Sequence, residues 1–251
     1  MSFLVIRPLN HRGKVSRSAV CPVKRLADSP GLRGAAPRAT VLRMILRERG
    51  LIDGFKLLTG PFVLACIAAF GRWDSMAAWL YLALHGTYGV LWVLKSRIFG
   101  DAQWERPLTP LRALMLSTGL AGYWLAPLLL TMRGVEVRPP LACACVALFG
   151  FGVFLHFAAD MQKHVSLALR PGALFTGGLW ARVRNPNYLG ELLIYLSFAA
   201  LAQHWAPFVI LALVFAVEWA PNMIRKDRSL ARYPGFTEWR ERSGILLPRL
   251  F

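Results

Sequence analysis

Five apolar blocks, the last of them double, run through this chain at lengths set by a lipid bilayer. A helix needs roughly 20 predominantly apolar residues to cross one. Leu57 to Gly71 is the shortest block and carries Pro61, while Ser75 to Leu94, Ala113 to Met132 and Leu141 to Ala159 are full spans. Tyr188 to Ala220 stays apolar apart from Ala202-Gln203-His204-Trp205, which reads as a tight turn between two helices. Backbone groups in hydrocarbon find no water, so each block must satisfy its own hydrogen bonds as a helix. The expectation is an all-α, multi-span integral membrane protein with about six transmembrane helices.

Hydrophobic residues make up 56% of the chain and mean hydropathy is +0.44, too apolar for an ordinary soluble domain. The net charge of +17 raises nucleic acid as a partner. Basic residues flanking spans are what the positive-inside rule produces, however, and no nucleic acid is expected. Residues 1–49 hold 11 Lys and Arg, 95–112 hold 4, 160–187 hold 4 and the tail from Arg225 holds 7. The opposite side has only Arg72, Arg133 and Arg138, with Lys56 at the boundary of the first block. This asymmetry places both termini and the long loops in the cytoplasm.

Residues 1–43 are Arg-rich, contain one acid, Asp28, and lack the apolar core of a secretory signal. They read as a disordered basic extension; a transit peptide fits, and so does an over-long gene prediction with the true start at Met44. Cys21, Cys66, Cys143 and Cys145 have no zinc spacing and no disulfide framework, and no metal is expected. The tryptophans at 73, 79, 92, 124, 205 and 219 are read as interfacial enrichment. Gly150-Phe151-Gly152 lies inside an apolar run with no strand before it, so it is not a dinucleotide fingerprint.

Chemistry concentrates in Gly177 to Glu191, GGLWARVRNPNYLGE, a polar loop that becomes a membrane helix. Asn185 is suited to cap that helix through its side-chain oxygen, and Pro186 to its first position, where no N–H is needed. Asn187 and Glu191 then lie four apart on one face, with Tyr188 beside them. A carboxylate entering hydrocarbon is a functional-site hypothesis by default. The loop before it, 160–187, offers Asp160, Lys163, Arg170, Arg182 and Arg184 around two glycine turns, a set suited to phosphates. A cytoplasmic loop that is basic only because such loops are basic fits the same residues. In the second block, His85 and Tyr88 lie three apart, flanked by Gly86 and Gly89, either as a proton donor set or as hydrogen-bonded glue between helices. After the last block Leu230, Tyr233, Phe236 and Trp239 recur every third residue, so the tail should lie along the membrane surface or close over the loop.

The string Arg-Asn-Pro-Asn-Tyr-Leu-Gly-Glu, Arg184 to Glu191, resembles the membrane reductases that include the steroid 5α-reductases and the sterol C14 and C7 reductases. Isoprenylcysteine carboxyl methyltransferases share the superfold and a shorter version of the run. Asn185 stands where many relatives of both kinds have His. The resemblance covers roughly Asp160 to Phe251 and extends to Gln162, Lys163 and Arg170 ahead of the motif. Behind it, Lys226-Asp227, Leu230, Tyr233-Pro234 and Pro248 to Phe251 match, although the methyltransferases show Glu-Glu at Lys226-Asp227.

The resemblance implies that residues 44–251 form one transmembrane reductase-like domain with its cofactor-binding half at 160–251. It implies reduction of an activated C=C bond in a lipophilic steroid-, sterol- or isoprenoid-like substrate by NADPH bound on the cytoplasmic side. Asp160, Lys163, Arg170, Arg182 and Arg184 would hold phosphates and ribose, Asn187, Tyr188 and Glu191 the nicotinamide end, and Arg225, Asp227 and Tyr233 the lid. His85 and Tyr88 would be the catalytic pair. The alternatives are an S-adenosylmethionine-dependent methyltransferase of a lipid or prenylated thiol, and a non-catalytic lipid-binding membrane protein. The expected location is the inner membrane of a bacterium, or an organelle or ER membrane of a eukaryote.

Overall fold

The computed structural model describes residues 47–249, and over them the protein is all-α. The reading of 1–43, the start at Met44, Cys21 and the last two residues of the tail lie outside the described residues. The helices are α1 (Glu48–Ala69), α2 (Met76–Ile98), α3 (Pro110–Gly122), α4 (Leu125–Arg133), α5 (Pro139–Leu169), α6 (Pro186–Leu201), α7 (Trp205–Val214), α8 (Ala220–Leu230) and α9 (Phe236–Arg242). Among the described residues no strand forms; two isolated bridges, Arg47 with Pro107 and Val183 with Gly244, tie loops together.

Five stretches are long and apolar enough to cross a membrane: Glu48–Ala69, Met76–Ile98, Pro110–Arg133, Pro139–Leu169 and Trp205–Leu230. The sixth expected span is α6, which has only 16 residues and so measures about 24 Å at 1.5 Å per residue. It compensates by packing along α5. The most apolar stretch of α5 is only 17% buried by protein, which leaves its remaining face for lipid.

Proline explains the two breaks. Pro127 has no N–H for the carbonyl of Tyr123, and the α3–α4 span turns at Tyr123–Trp124. Pro221 denies a bond to Val217 in the same way, and the chain passes through a π turn, Phe215–Trp219, between α7 and α8. Both breaks face the same interior space.

Glycine sets the helix spacing. A Cβ at Gly152 of α5 would lie 2.7 Å from the carbonyl of Gly190 in α6, and one at Gly190 would lie 2.4 Å from the amide of His156. Gly152, from the Gly-Phe-Gly run, is therefore a packing glycine. Likewise Gly89 of α2 lets the backbone of Lys56 approach within 2.1 Å of where its Cβ would be, and Gly60 faces Gly86.

Several boundaries differ from the sequence reading. The first helix begins at Glu48 rather than Leu57, so Lys56 sits inside the span, 4% exposed, instead of at its edge. The α5 helix continues to Leu169, which puts Asp160 and Lys163 on a helix rather than in a loop. Charge did not end that helix because both side chains are neutralised within the protein. Asn185 precedes α6 but does not cap it; its Nδ2 donates to the Ile245 carbonyl at 2.8 Å and its Oδ1 accepts from Lys226 Nζ at 2.7 Å. The tail closes over the loop, with Phe236 and Trp239 buried against Trp180 and Ala159.

Candidate functional site

Two spaces meet at the head of α6. The inner chamber, about 840 Å³, has an apolar wall that includes Leu116, Leu120, Val214 and Trp219. The outer vestibule, about 1120 Å³, is lined by Arg106, Lys163, Arg225 and Lys226. Asp101, Gln103, Asn187, Tyr188 and Asn222 line both, so they form the shared threshold.

The first turn of α6 is held from α5. His156 Nδ1 lies 3.0 Å from the Asn187 carbonyl, which can only accept, so that nitrogen carries the proton. Nε2 is then an acceptor, and Lys95 Nζ lies 3.1 Å from it. Lys95 also pairs with Asp160, Asp160 with Lys163 at 3.5 Å, and Lys163 with Asp101 at 2.6 Å. Alternating charges thus run from the chamber to the threshold. Burial pushes the Asp101 carboxyl up, but the Lys163 ammonium and the backbone N–H of Gln103 outweigh it and hold its pKa below the usual carboxylate value.

Asn187, Tyr188 and Glu191 all reach the chamber. Glu191 Oε1 accepts from the Tyr88 hydroxyl at 3.1 Å, and Asn187 Oδ1 has no hydrogen-bond partner among the described residues. Lys56 enters from α1. Its Nζ donates to the Tyr195 hydroxyl at 2.5 Å and lies 4.4, 4.6 and 5.0 Å from the ring centres of Tyr88, Trp92 and Tyr195. An ammonium with no carboxylate partner among the described residues is kept in this apolar setting by aromatic faces. Tyr123, at the α3–α4 break, stacks on Tyr195 with centroids 3.8 Å apart, and its hydroxyl has no partner among the described residues.

The other expected site residues fall elsewhere. His85 does not line the chamber: its Nδ1 is 3.0 Å from the Tyr81 hydroxyl and its ring stacks on Phe198 at 4.1 Å. Tyr88 is fully buried behind the chamber wall and its hydroxyl donates to Glu191, and no hydrogen bond joins it to His85 among the described residues. Arg184 is buried, and its Nε donates to Asp227 at 2.9 Å while another nitrogen reaches the carbonyls of Arg240 and Ser243. Both Arg184 and Asp227 therefore anchor the tail. Arg170 and Arg182 are exposed and line neither space, as does half-buried Tyr233, which has the Arg232 guanidinium over its ring at 5.1 Å. Gly178 is filled by the side chain of Gln162, which accepts from the Leu179 amide at 3.1 Å. Arg225 does line the vestibule.

Sequence reasoning missed Lys56, Trp92, Lys95, Tyr123 and Tyr195. Tyr195 was legible, because it continues the 187–191 face by one more turn. Lys56 carried a weaker signal as a lone charge ahead of an apolar run.

Residues 120–224 match a family described as a protein of unknown function, DUF1295. Over 164 residues the chain is 30% identical to the cobalt-zinc-cadmium resistance protein CzcN of Cupriavidus metallidurans, which covers 64% of this chain and 61% of that protein. The chain therefore matches less than two thirds of that relative's length. The family match takes in Tyr123, His156, Asp160, Asn187, Glu191, Tyr195 and Glu218, and stops short of the tail.

Proposed function

We propose that this protein is a membrane-embedded reductase that saturates an activated C=C bond of a lipophilic substrate, using NADPH. The reading rests on one observation, the shared threshold between an apolar chamber and a vestibule lined by Arg106, Lys163, Arg225 and Lys226. Arg106 and Arg225 have no carboxylate partner in any ion pair among the described residues, which leaves them available to phosphates. Among the described residues Asp101 is the one carboxylate lining the vestibule. Such a surface suits the polyanionic half of NADPH better than S-adenosylmethionine, whose reacting centre is a cation. The motif resemblance at Arg184 to Glu191 supports the same reading.

NADPH, when bound, supplies the hydride. Asn187, with its unpartnered oxygen at the threshold, would accept from the carboxamide N–H, and Glu191, held by Tyr88, would lie beyond it. Apolar Leu116, Leu120 and Val214 would take the substrate body and exclude water. The Lys and Arg asymmetry supports a vestibule facing the cytoplasm.

A methyltransferase reading draws support from the carboxylates Glu191 and Glu218 on the chamber wall, which would suit a sulfonium. Titration calorimetry of the purified full chain with each cofactor separates the two. Heat with NADPH and none with S-adenosylmethionine is expected; the reverse result replaces the reductase with the methyltransferase.

A further inference from the structure

We propose that lipophilic ligands enter the inner chamber sideways from the bilayer, through a window between α3 and the π turn that the side chain of Met115 closes. The proposal rests on the reading of a lipophilic substrate and on the chamber, and not on which cofactor the vestibule takes.

Three contacts define the seam, and their order shows α3 running antiparallel to α7 and to the π turn that continues it. Arg112 Nη1 pairs with Glu218 Oε1 at 2.5 Å; a Cβ at Gly119 would lie 3.9 Å from Val214 Cγ2, and one at Gly122 would lie 2.9 Å from Ile210 Cγ2. The helices are therefore tight at Gly122 and loose at Gly119. Arg112 Nε also lies 3.4 Å from Glu48 Oε2, which ties the charged end of the seam to α1. Between the Arg112 and Gly119 contacts α3 rises about 10 Å, at 1.5 Å per residue. Met115 and Leu116 occupy that interval on α3, and the π turn, Phe215–Trp219, covers it on the other side. Such turns are frequent at functional sites.

Met115 belongs to both sides of this wall. It lines the chamber, yet it is 43% exposed and lies one turn after Leu111 and beside Leu114, two strongly exposed side chains that do not line the chamber. Across the seam Leu213 and Val217 are exposed in the same way, so apolar side chains suited to lipid border the interval from both helices. One unbranched side chain thus separates hydrocarbon from the chamber. Methionine can swing aside by rotamer changes without moving either helix, and Gly119, one turn on and also lining the chamber, puts no side chain in its way. A lipophile arriving through the vestibule would have to leave the bilayer and pass Arg106, Lys163, Arg225 and Lys226. Through the window it never meets water, and its apolar surface need not be hydrated on the way.

The test needs no turnover. In the full chain with its four native cysteines replaced by alanine, Leu120→Cys puts a thiol on the chamber wall. The protein in phosphatidylcholine nanodiscs, which expose both faces, is treated with N-phenylmaleimide, which partitions into the bilayer, or with a sulfonated maleimide confined to water. Mass spectrometry follows the labelling. Met115→Ala should speed labelling by the bilayer-borne reagent, and Met115→Trp should slow it about tenfold, the effect of roughly 1.4 kcal/mol of added barrier. Labelling from water, through the vestibule, should keep its rate in both variants. Met115→Phe is a second plug should Met115→Trp fail size-exclusion chromatography, and Gly119→Cys is a second thiol on the wall. Unchanged bilayer-borne labelling in a folded, plugged variant overturns the proposal, and so does a wall thiol that this reagent never reaches. Equal slowing of both reagents overturns it too, because the added bulk would then fill the chamber rather than the window. No nucleotide enters the assay, so a failed window leaves the NADPH reading standing, and absent heat with NADPH leaves the window standing.

Discussion

The Tyr88 hydroxyl donates to Glu191 Oε1 at 3.1 Å, joining α2 to α6 across 103 residues of sequence. Tyr88 is fully buried and Glu191 lines the chamber, so the bond fixes a carboxylate at the mouth of a membrane helix from behind. The carboxylate is not neutralised by Arg184, whose guanidinium is taken by Asp227.

Glu191→Gln is therefore expected to weaken NADPH binding by about 1–3 kcal/mol, the range for a hydrogen bond to a charged group, without unfolding the protein. Tyr88→Phe should weaken it by a smaller amount, about 1 kcal/mol, because it frees the carboxylate without removing it. Calorimetry on both variants checks this. A Tyr88→Phe protein with slowed turnover and unchanged NADPH affinity would return Tyr88 to the role of proton donor that the sequence suggested.

Arg184 should act on stability rather than on cofactor affinity. Its guanidinium is buried and bonded to Asp227 and to tail carbonyls, so Arg184→Ala leaves a half-buried carboxylate and several acceptors unmatched. The loss should be about 3–5 kcal/mol, typical of breaking a buried pair. Thermal unfolding in detergent, with limited proteolysis of the tail after Leu230, measures it. Unchanged stability together with lost NADPH binding would put Arg184 among the phosphate ligands after all.

Acid should open the vestibule. Because the folded protein holds the Asp101 pKa below its ordinary value, the Asp101–Lys163 pair contributes stability that is complete above the unfolded pKa of about 3.9. That contribution is lost as pH falls through the lower folded value. Asp101→Asn should accordingly lower the melting temperature at pH 6, and the gap from the unmodified protein should shrink below about pH 4. A gap that is constant across this window would mean that the pair does not contribute.

The contact between α5 and α6 should tolerate no added carbon. A Cβ at Gly190 would meet the His156 backbone at 2.4 Å, and backbone cannot yield as a side chain can. Gly190→Ala is expected to cost about 1–3 kcal/mol or more through overpacking. It should also displace His156 from the Asn187 carbonyl, so NADPH affinity should fall together with the melting temperature. An alanine variant that keeps both unchanged would show that the helices are not in contact at this point.

Block lengths and composition determined by themselves that the described chain is helical and built for a bilayer, since backbone groups in hydrocarbon can be satisfied only within the segment. Helical periodicity, a local property, was enough to put Asn187 and Glu191 on one face of α6, and Pro186 marked where that helix starts. What a face meets is not local. Lys56 and Tyr195 are 139 residues apart, and only the approach of Lys56 to Gly89, together with the chain breaks ahead of Pro127 and Pro221, brings the ammonium, Tyr123 and Glu218 to one chamber. Arginines are the hardest to read in sequence, because a guanidinium binds a phosphate or a buried carboxylate with the same planar fork. Tertiary packing alone decided that Arg184 takes Asp227 while Arg225 lines the vestibule, since burial leaves one fork nothing but protein to bond and the other facing open space.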